Sequence, residues 1–375
     1  MYAFELDFNR IKKIVDGKYC RNHENRVNCI DARSDTMIHF ENDYTRGTHP
    51  RILKRLVETN DIQTPGYGVD EHCENAAQLI KKACSMPNAD VHFIAGGTLT
   101  NLTIISSILR PHEAVVAPAT GHIAVAETGA IEATGHKIIT IPTTTGKITA
   151  AEIKAVLVRP DNVHSPRPGL IFISQSTEVG GIYNKDELSA IKLVADEFNV
   201  PLFIDGARLG YALAAEDCDL TLAEIASLTD IFYIGGTKVG ALFGEAVVIT
   251  NDRLKRDFRY LMKQRGALMA KGRILGLQFE ELFRDNLYSE ISAYAVSLAM
   301  KIKQVLAEVG LTLAYPATTN QLFIEFTEEQ FTKISENYIL ASWERRDDLV
   351  VARLCTDWST HITDVESFIA DLRKL

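Results

Sequence analysis

No apolar run in this 375-residue chain approaches the roughly 20 residues that a helix needs to cross a bilayer. The segment from Met1 to Arg10 mixes charged with apolar side chains, and no signal-peptide core follows it. Basic residues are in deficit. With 40 Lys and Arg against 49 Asp and Glu the net charge is −9, so the electrostatic footprint of a nucleic-acid binder is missing. Cysteine is sparse: the six residues never adopt C-x-x-C spacing, which argues against a disulfide frame or a zinc site and for reduced thiols in a cytosolic protein. The glycine patterns G-x-G-x-x-G and G-x-x-x-x-G-K-[ST] are absent as well, which removes the dinucleotide and P-loop readings.

What is present is a regular alternation of short apolar runs and amphipathic stretches. Val91–Ile94, Ala114–Ala117, Lys137–Ile141, Leu170–Ser174, Leu202–Ile204, Ile231–Ile234 and Ala246–Thr250 read as strands. Pro50–Glu58, Glu71–Ala83, about Thr100–Leu109 and Lys185–Phe198 read as helices, and Thr149 with Glu152 forms a capping box. This predicts an α/β fold with a mostly parallel sheet covered on both faces. After Asn251 the pattern turns to longer helices and then to strands at Asn320–Phe326 and Leu349–Leu354, which predicts a smaller C-terminal α+β domain. The expected division is an N-terminal extension at 1–37, a large domain at 38–264 and a small domain at 265–375. The extension reads as an appendage with Met37 the alternative start, or else as an arm packing on a partner subunit.

The chemistry lies at the ends of the apolar runs. In open α/β sheets ligands sit at the carboxyl ends of strands. Lys238 closes Ile231-Phe-Tyr-Ile-Gly-Gly-Thr-Lys238, and Asp205 closes Pro201-Leu-Phe-Ile-Asp205. An ammonium and a carboxylate at one mouth are what pyridoxal phosphate requires: a lysine for the Schiff base and an acid opposite the pyridinium nitrogen. Gly97 and Thr98 follow a strand and open a helix, a place suited to a phosphate. His122 offers an imidazole for stacking or proton transfer. Arg208 offers planar donors near the cofactor, and Arg353, at the end of a strand in the small domain, is the expected clamp for a substrate carboxylate. Taken singly, each has an ordinary structural reading: a solvated lysine, an Asp-Gly turn, a strand–turn–helix joint, a core histidine, a surface arginine.

In order along the chain these pieces resemble the threonine aldolases, within the β-eliminating-lyase group of aspartate-aminotransferase-fold enzymes. The matching segments are Asn42-Asp43-Tyr44, Gly66-Tyr67-Gly68-Val-Asp70, His92-Phe-Ile-Ala-Gly-Gly-Thr98 with Asn101, Gly121-His122, Ser176-Thr-Glu178, Asp205-Gly-Ala-Arg208, Thr237-Lys238, Lys263-Gln-Arg-Gly266, Asn320-Gln-Leu-Phe323 and Arg353-Leu-Cys-Thr356. The likeness runs from about Phe40 to the C-terminus. It implies a seven-stranded, mostly parallel sheet and a pyridoxal-phosphate-dependent lyase that cleaves L-threonine or L-allo-threonine to glycine and an aldehyde. It also implies roles: Lys238 on the cofactor, Asp205 at the ring nitrogen with Arg208 beside it, Gly97 and Thr98 at the phosphate, His122 on the ring, and Arg353 and Asn42 on the substrate. Tyr67 and Lys263 would reach the site from a neighbouring subunit of a homodimer or homotetramer. Two departures stand out. Arg33-Ser34-Asp35-Thr36 repeats a family opening, but too far upstream of Gly66-Tyr67-Gly68, so Asn42-Asp43-Tyr44 is preferred. Glu178 stands where some relatives have a histidine, which leaves the base for the β-hydroxyl proton open among His122, a water and Glu178. β-Elimination or racemisation on the same fold, and a silent cofactor binder, are the alternatives.

Overall fold

The computed structural model describes residues 37–158 and 162–375. The expected N-terminal extension, apart from Met37, lies outside the described residues, as do Cys20, Cys29 and the Arg33–Thr36 motif.

Among the described residues thirteen strands occur, in chain order β1 (Ile38–His39), β2 (Asp90–Ile94), β3 (Glu113–Pro118), β4 (Lys137–Ile141), β5 (Arg167–Ser174), β6 (Leu202–Asp205), β7 (Ile231–Gly235), β8 (Glu245–Ile249), β9 (Thr312–Leu313), β10 (Gln321–Thr327), β11 (Tyr338–Ile339), β12 (Ala341–Arg346) and β13 (Leu349–Cys355). Seven of them form one sheet in the order β2-β8-β7-β6-β5-β3-β4. The pairs from β7 through β6, β5 and β3 to β4 are parallel, and β8 runs antiparallel to both neighbours. The mostly parallel sheet expected from the alternation is therefore present.

Its central strands are buried on both faces, which explains why they read as unbroken apolar runs rather than as alternations. The pleat nevertheless sorts them. Ile171, Ile173, Ile204, Phe232, Ile234 and Val248 pack into one core, and Leu170, Phe172, Phe203, Ile231, Tyr233 and Val247 into another on the opposite face. Helix Lys185–Glu197 connects β5 to β6 and helix Leu222–Ser227 connects β6 to β7; both begin with capping boxes, as does helix Ala150–Leu157 at Thr149 and Glu152. Helix Arg273–Phe283 packs on helix Glu71–Ala83 so closely that a Cβ on Gly276 would stand 2.4 Å from the Cys73 sulfur.

A third core joins Phe40, one face of helix Leu287–Glu308, the four-stranded antiparallel sheet β12-β13-β10-β9 and helix Ile362–Leu372. The chain enters here: β1 pairs with β11, and the Cys355 amide donates to the Phe40 carbonyl at 2.8 Å. That bond directs residues 41–44 toward the carboxyl ends of the large sheet. Among the described residues no helix is long and apolar enough to cross a membrane, and Cys73, Cys84, Cys218 and Cys355 are free thiols.

Candidate active site

The parallel register of β5 and β6 places Ser174 beside Asp205 at the carboxyl edge of the sheet. Asp205 ends β6, and the turn after it lies hard against β7. A Cβ on Gly206 would come within 1.8 Å of the Tyr233 carbonyl oxygen, so only glycine fits there. The buried Asp205 carboxylate is held from both sides. The Tyr233 hydroxyl (2.5 Å) and the Ala207 amide (3.0 Å) donate to Oδ1, and Asn101 Nδ2 donates to Oδ2 at 3.1 Å. Tyr233 in turn has its phenol pushed well above its ordinary range by burial and by the Asp205 charge, so it remains a donor.

β7 ends at Gly235, and the next turn carries Thr237 and Lys238. The Glu245 carboxylate on β8 fixes this turn by accepting from the Gly236 amide (3.0 Å) and the Thr237 hydroxyl (2.8 Å). The Tyr211 hydroxyl donates to the Lys238 carbonyl at 2.6 Å. The Lys238 amine loses its proton more readily than a free lysine, because burial disfavours the ammonium and the Arg208 charge lies near. Glu245 moves the opposite way: burial favours its neutral form.

Lys238, Asp205, Arg208, His122, Glu178, Gly97 and Thr98 all line one cavity of about 290 Å³, together with Tyr44, Ser176 and Tyr233. Gly97 opens helix Gly97–Ile108, preceded by Gly96 at φ 141°, with no side-chain cap and no acid in the first turn. The first amides of that helix have no acceptor from a capping side chain, and the helix dipole favours an anion there. The donor set therefore fits pyridoxal phosphate: a carboxylate for the ring nitrogen, a lysine amine, and a helix N-terminus for the phosphate.

The Arg208 guanidinium is already engaged. Nε donates to Asp43 Oδ2 at 2.7 Å and one terminal nitrogen donates to Oδ1 at 2.9 Å, while Asn320 Nδ2 adds a third bond at 2.9 Å. Burial alone would raise the Asp43 carboxyl. The charges of Arg208 and Lys238 and the bonds from Arg208 and Asn320 outweigh it and hold the group at about 2. Asp43 is the site residue that the sequence reading passed over. It lies within a quoted motif, but nothing in its spacing from Arg208, 165 residues away, announced the pair.

His122 begins a short helical turn after Gly121. Its Nδ1 lies 2.8 Å from Glu127 Oε1, its amide donates to Glu178 Oε1 at 2.9 Å, and the Ser174 hydroxyl donates to the same Glu178 oxygen at 2.8 Å. The bond to Glu127 raises the His122 pKa, partly opposed by burial. Burial raises the Glu178 carboxyl. Asn101 Nδ2 donates to Glu127 Oε1 at 2.8 Å as well as to Asp205, so the two carboxylates share one amide.

Four expected residues do not line this cavity. Arg353 donates to the Glu41 carbonyl at 2.9 Å and stacks on the Trp343 ring at 5.1 Å; its Nε is buried with no hydrogen-bond partner. Asn42 accepts from the Tyr44 amide at 2.9 Å and shapes the turn that brings Tyr44 in. Tyr67 sits at a second cavity with its ring under Lys263 Nζ at 4.4 Å. Within one chain the pair belongs to that surface.

The family model for beta-eliminating lyases matches residues 44–329. Low specificity L-threonine aldolase of Pseudomonas sp. (strain NCIMB 10558) is 30% identical over 349 residues, 91% of this chain and 99% of that protein. A solved structure of Leishmania major threonine aldolase superposes with a TM-score of 0.89 at 46% identity, covering 90% of this chain and 99% of that one. Aspartate aminotransferase from Thermus thermophilus shares the fold alone, with a TM-score of 0.67 at 12% identity over 94% of each chain. The family match over most of the chain, together with a lysine, a carboxylate and an uncapped helix end gathered in one cavity, means that the chain belongs to the beta-eliminating lyase family and is a pyridoxal-phosphate-dependent lyase.

Proposed function

We propose that this chain cleaves the Cα–Cβ bond of L-threonine and L-allo-threonine, giving glycine and acetaldehyde. The observation that carries the reading is the single cavity shared by Lys238, Asp205, His122 and the Gly97–Thr98 helix end. The likeness to proteins named threonine aldolases supports the substrate. Bound pyridoxal phosphate supplies the electron sink that Cα–Cβ cleavage needs.

Each residue then has one task. Lys238 carries the cofactor. Asp205, its carboxylate held by three donors, faces the ring nitrogen and keeps a proton there. The amides at Gly97 and the Thr98 hydroxyl take the phosphate. Arg208, locked to Asp43, provides fixed positive charge beside the ring rather than a swinging hand. Arg353 takes the substrate carboxylate, its unpartnered Nε being the donor that such an anion satisfies, with Asn42 shaping the adjoining wall. His122, lining the same cavity, would stack on the ring and handle a proton, with Glu178, also lining it, the weaker candidate for that proton. Tyr67 and Lys263 serve the cavity of a neighbouring subunit in a homodimer or homotetramer, and the free thiols suit the cytoplasm.

The test is incubation of the holoenzyme with each threonine isomer. Equimolar glycine and acetaldehyde are expected. Pyruvate with ammonia would move the activity to elimination, and a D-amino acid to racemisation.

A further inference from the structure

We infer that Glu127 is a positioning residue for the reaction, fixing His122 as its Nδ1–H form so that Nε2 is left as a bare proton acceptor at the cavity. Glu127 is buried, its side chain fully so, whereas the His122 side chain is 42% exposed and lines the cavity. A carboxylate only accepts, so the imidazole must donate from Nδ1 across the 2.8 Å contact. Nε2 makes no hydrogen bond among the described residues. In a neutral imidazole the nitrogen opposite the donor is the acceptor, and a fixed carboxylate on the far side raises its basicity.

The second observation is Asn101. Its two neighbours, Glu127 Oε1 at 2.8 Å and Asp205 Oδ2 at 3.1 Å, are both acceptors, so the amide must present its NH₂ to both. Glu127 is thereby held by an atom that also holds the ring-facing carboxylate, and it cannot swing toward another partner without breaking that bridge. Its second oxygen is buried with no hydrogen-bond partner, so Oε1 alone carries the orientation. The groups around the imidazole act in both directions. Glu127 and Asp205 favour its charged form, burial and Lys238 oppose it, and Glu178 meets only its backbone amide. Glu127 is the one that touches the ring nitrogen.

This inference uses the aldolase reading only for the activity assay. The holoenzyme labelled with [¹⁵N]histidine is titrated by NMR, the His122 signals being assigned by their loss in His122→Asn. Wild type is expected to show a neutral Nδ1–H tautomer and a protonation midpoint above the ordinary 6.5. In Glu127→Gln the midpoint should fall, and kcat for glycine release should drop by roughly 10²-fold with KM changed by less than about threefold. In the His122→Asn background the same substitution should cost less than about twofold, because Glu127 acts through the ring. An unmoved His122 titration, or a full additive loss in the double variant, overturns the inference. So does a wild-type neutral imidazole protonated on Nε2, which needs no variant to fold. A holoenzyme that released no glycine yet kept the Nδ1–H tautomer would refute the aldolase reading and leave this one standing.

Discussion

Arg208 clasps Asp43 with two near-parallel bonds, 2.7 and 2.9 Å long, at a point where both side chains are almost wholly removed from water. The pair ties the entering segment of the chain to the edge of the large sheet, and Asn320 ties it to the small sheet. One buried ion pair thus joins three parts of the fold at the cavity. Removing one member leaves a buried charge without its partner, a loss of about 3–5 kcal/mol. Asp43→Ala should lower the unfolding free energy by that order in urea titrations, and a variant as stable as wild type would refute the pairing.

The same pair sets an acid dependence. Asp43 has its folded pKa depressed from 3.8 to about 2. A depressed carboxyl contributes stability that is complete above its unfolded value and is lost as pH falls through its folded value. The wild-type protein should therefore lose roughly 2 kcal/mol between about pH 4 and pH 2 that Asp43→Asn does not lose. Parallel pH-dependent unfolding curves of the two proteins would contradict this.

Among the described residues, Lys238 is the one lysine that lines the cavity, so it is the expected point of cofactor attachment. Borohydride reduction of the holoenzyme followed by mass spectrometry should find the cofactor on Lys238. Lys238→Ala should show no covalent adduct and no turnover. An adduct at another lysine would move the assignment.

Arg353 is expected to act on binding more than on chemistry. Losing a charged, two-point contact with a carboxylate costs about 3 kcal/mol, so Arg353→Ala should raise KM by roughly 10²-fold with a smaller effect on kcat. Arg353→Lys should recover little, since an ammonium cannot reproduce the fork. A normal KM in Arg353→Ala would place the carboxylate site elsewhere.

Tyr67 and Lys263 offer a test of subunit sharing. Lys263→Ala and Lys238→Ala are each expected to be impaired alone. If Lys263 serves the neighbour's cavity, refolding or co-expressing the two together should restore activity, because some sites receive both native residues. Mixed subunits as inactive as the parents would assign Lys263 to its own chain's surface.

Much of this protein was legible in its sequence, for identifiable reasons. Strands such as Leu202–Asp205 and Ile231–Gly235 announced themselves because parallel strands buried on both faces need unbroken apolar runs. That Lys238, Asp205, His122, Gly97 and Thr98 would share one cavity was legible because ligand sites in such folds follow strand ends, and strand ends can be read locally. The partners were not. Asp43 meets Arg208 across 165 positions, and Asn320 meets Asp43 across 277. Asn101 bridges to Asp205 across 104, and these pairs form only once a helix, the entering loop and the start of β10 fold against the carboxyl edge of the large sheet. Composition and spacing determined the class of fold and which strand-end residues would gather at one cavity. The tertiary structure alone decided which buried charges neutralise one another and which nitrogen of His122 is left free, because those follow from distances of a few ångströms that no local pattern encodes.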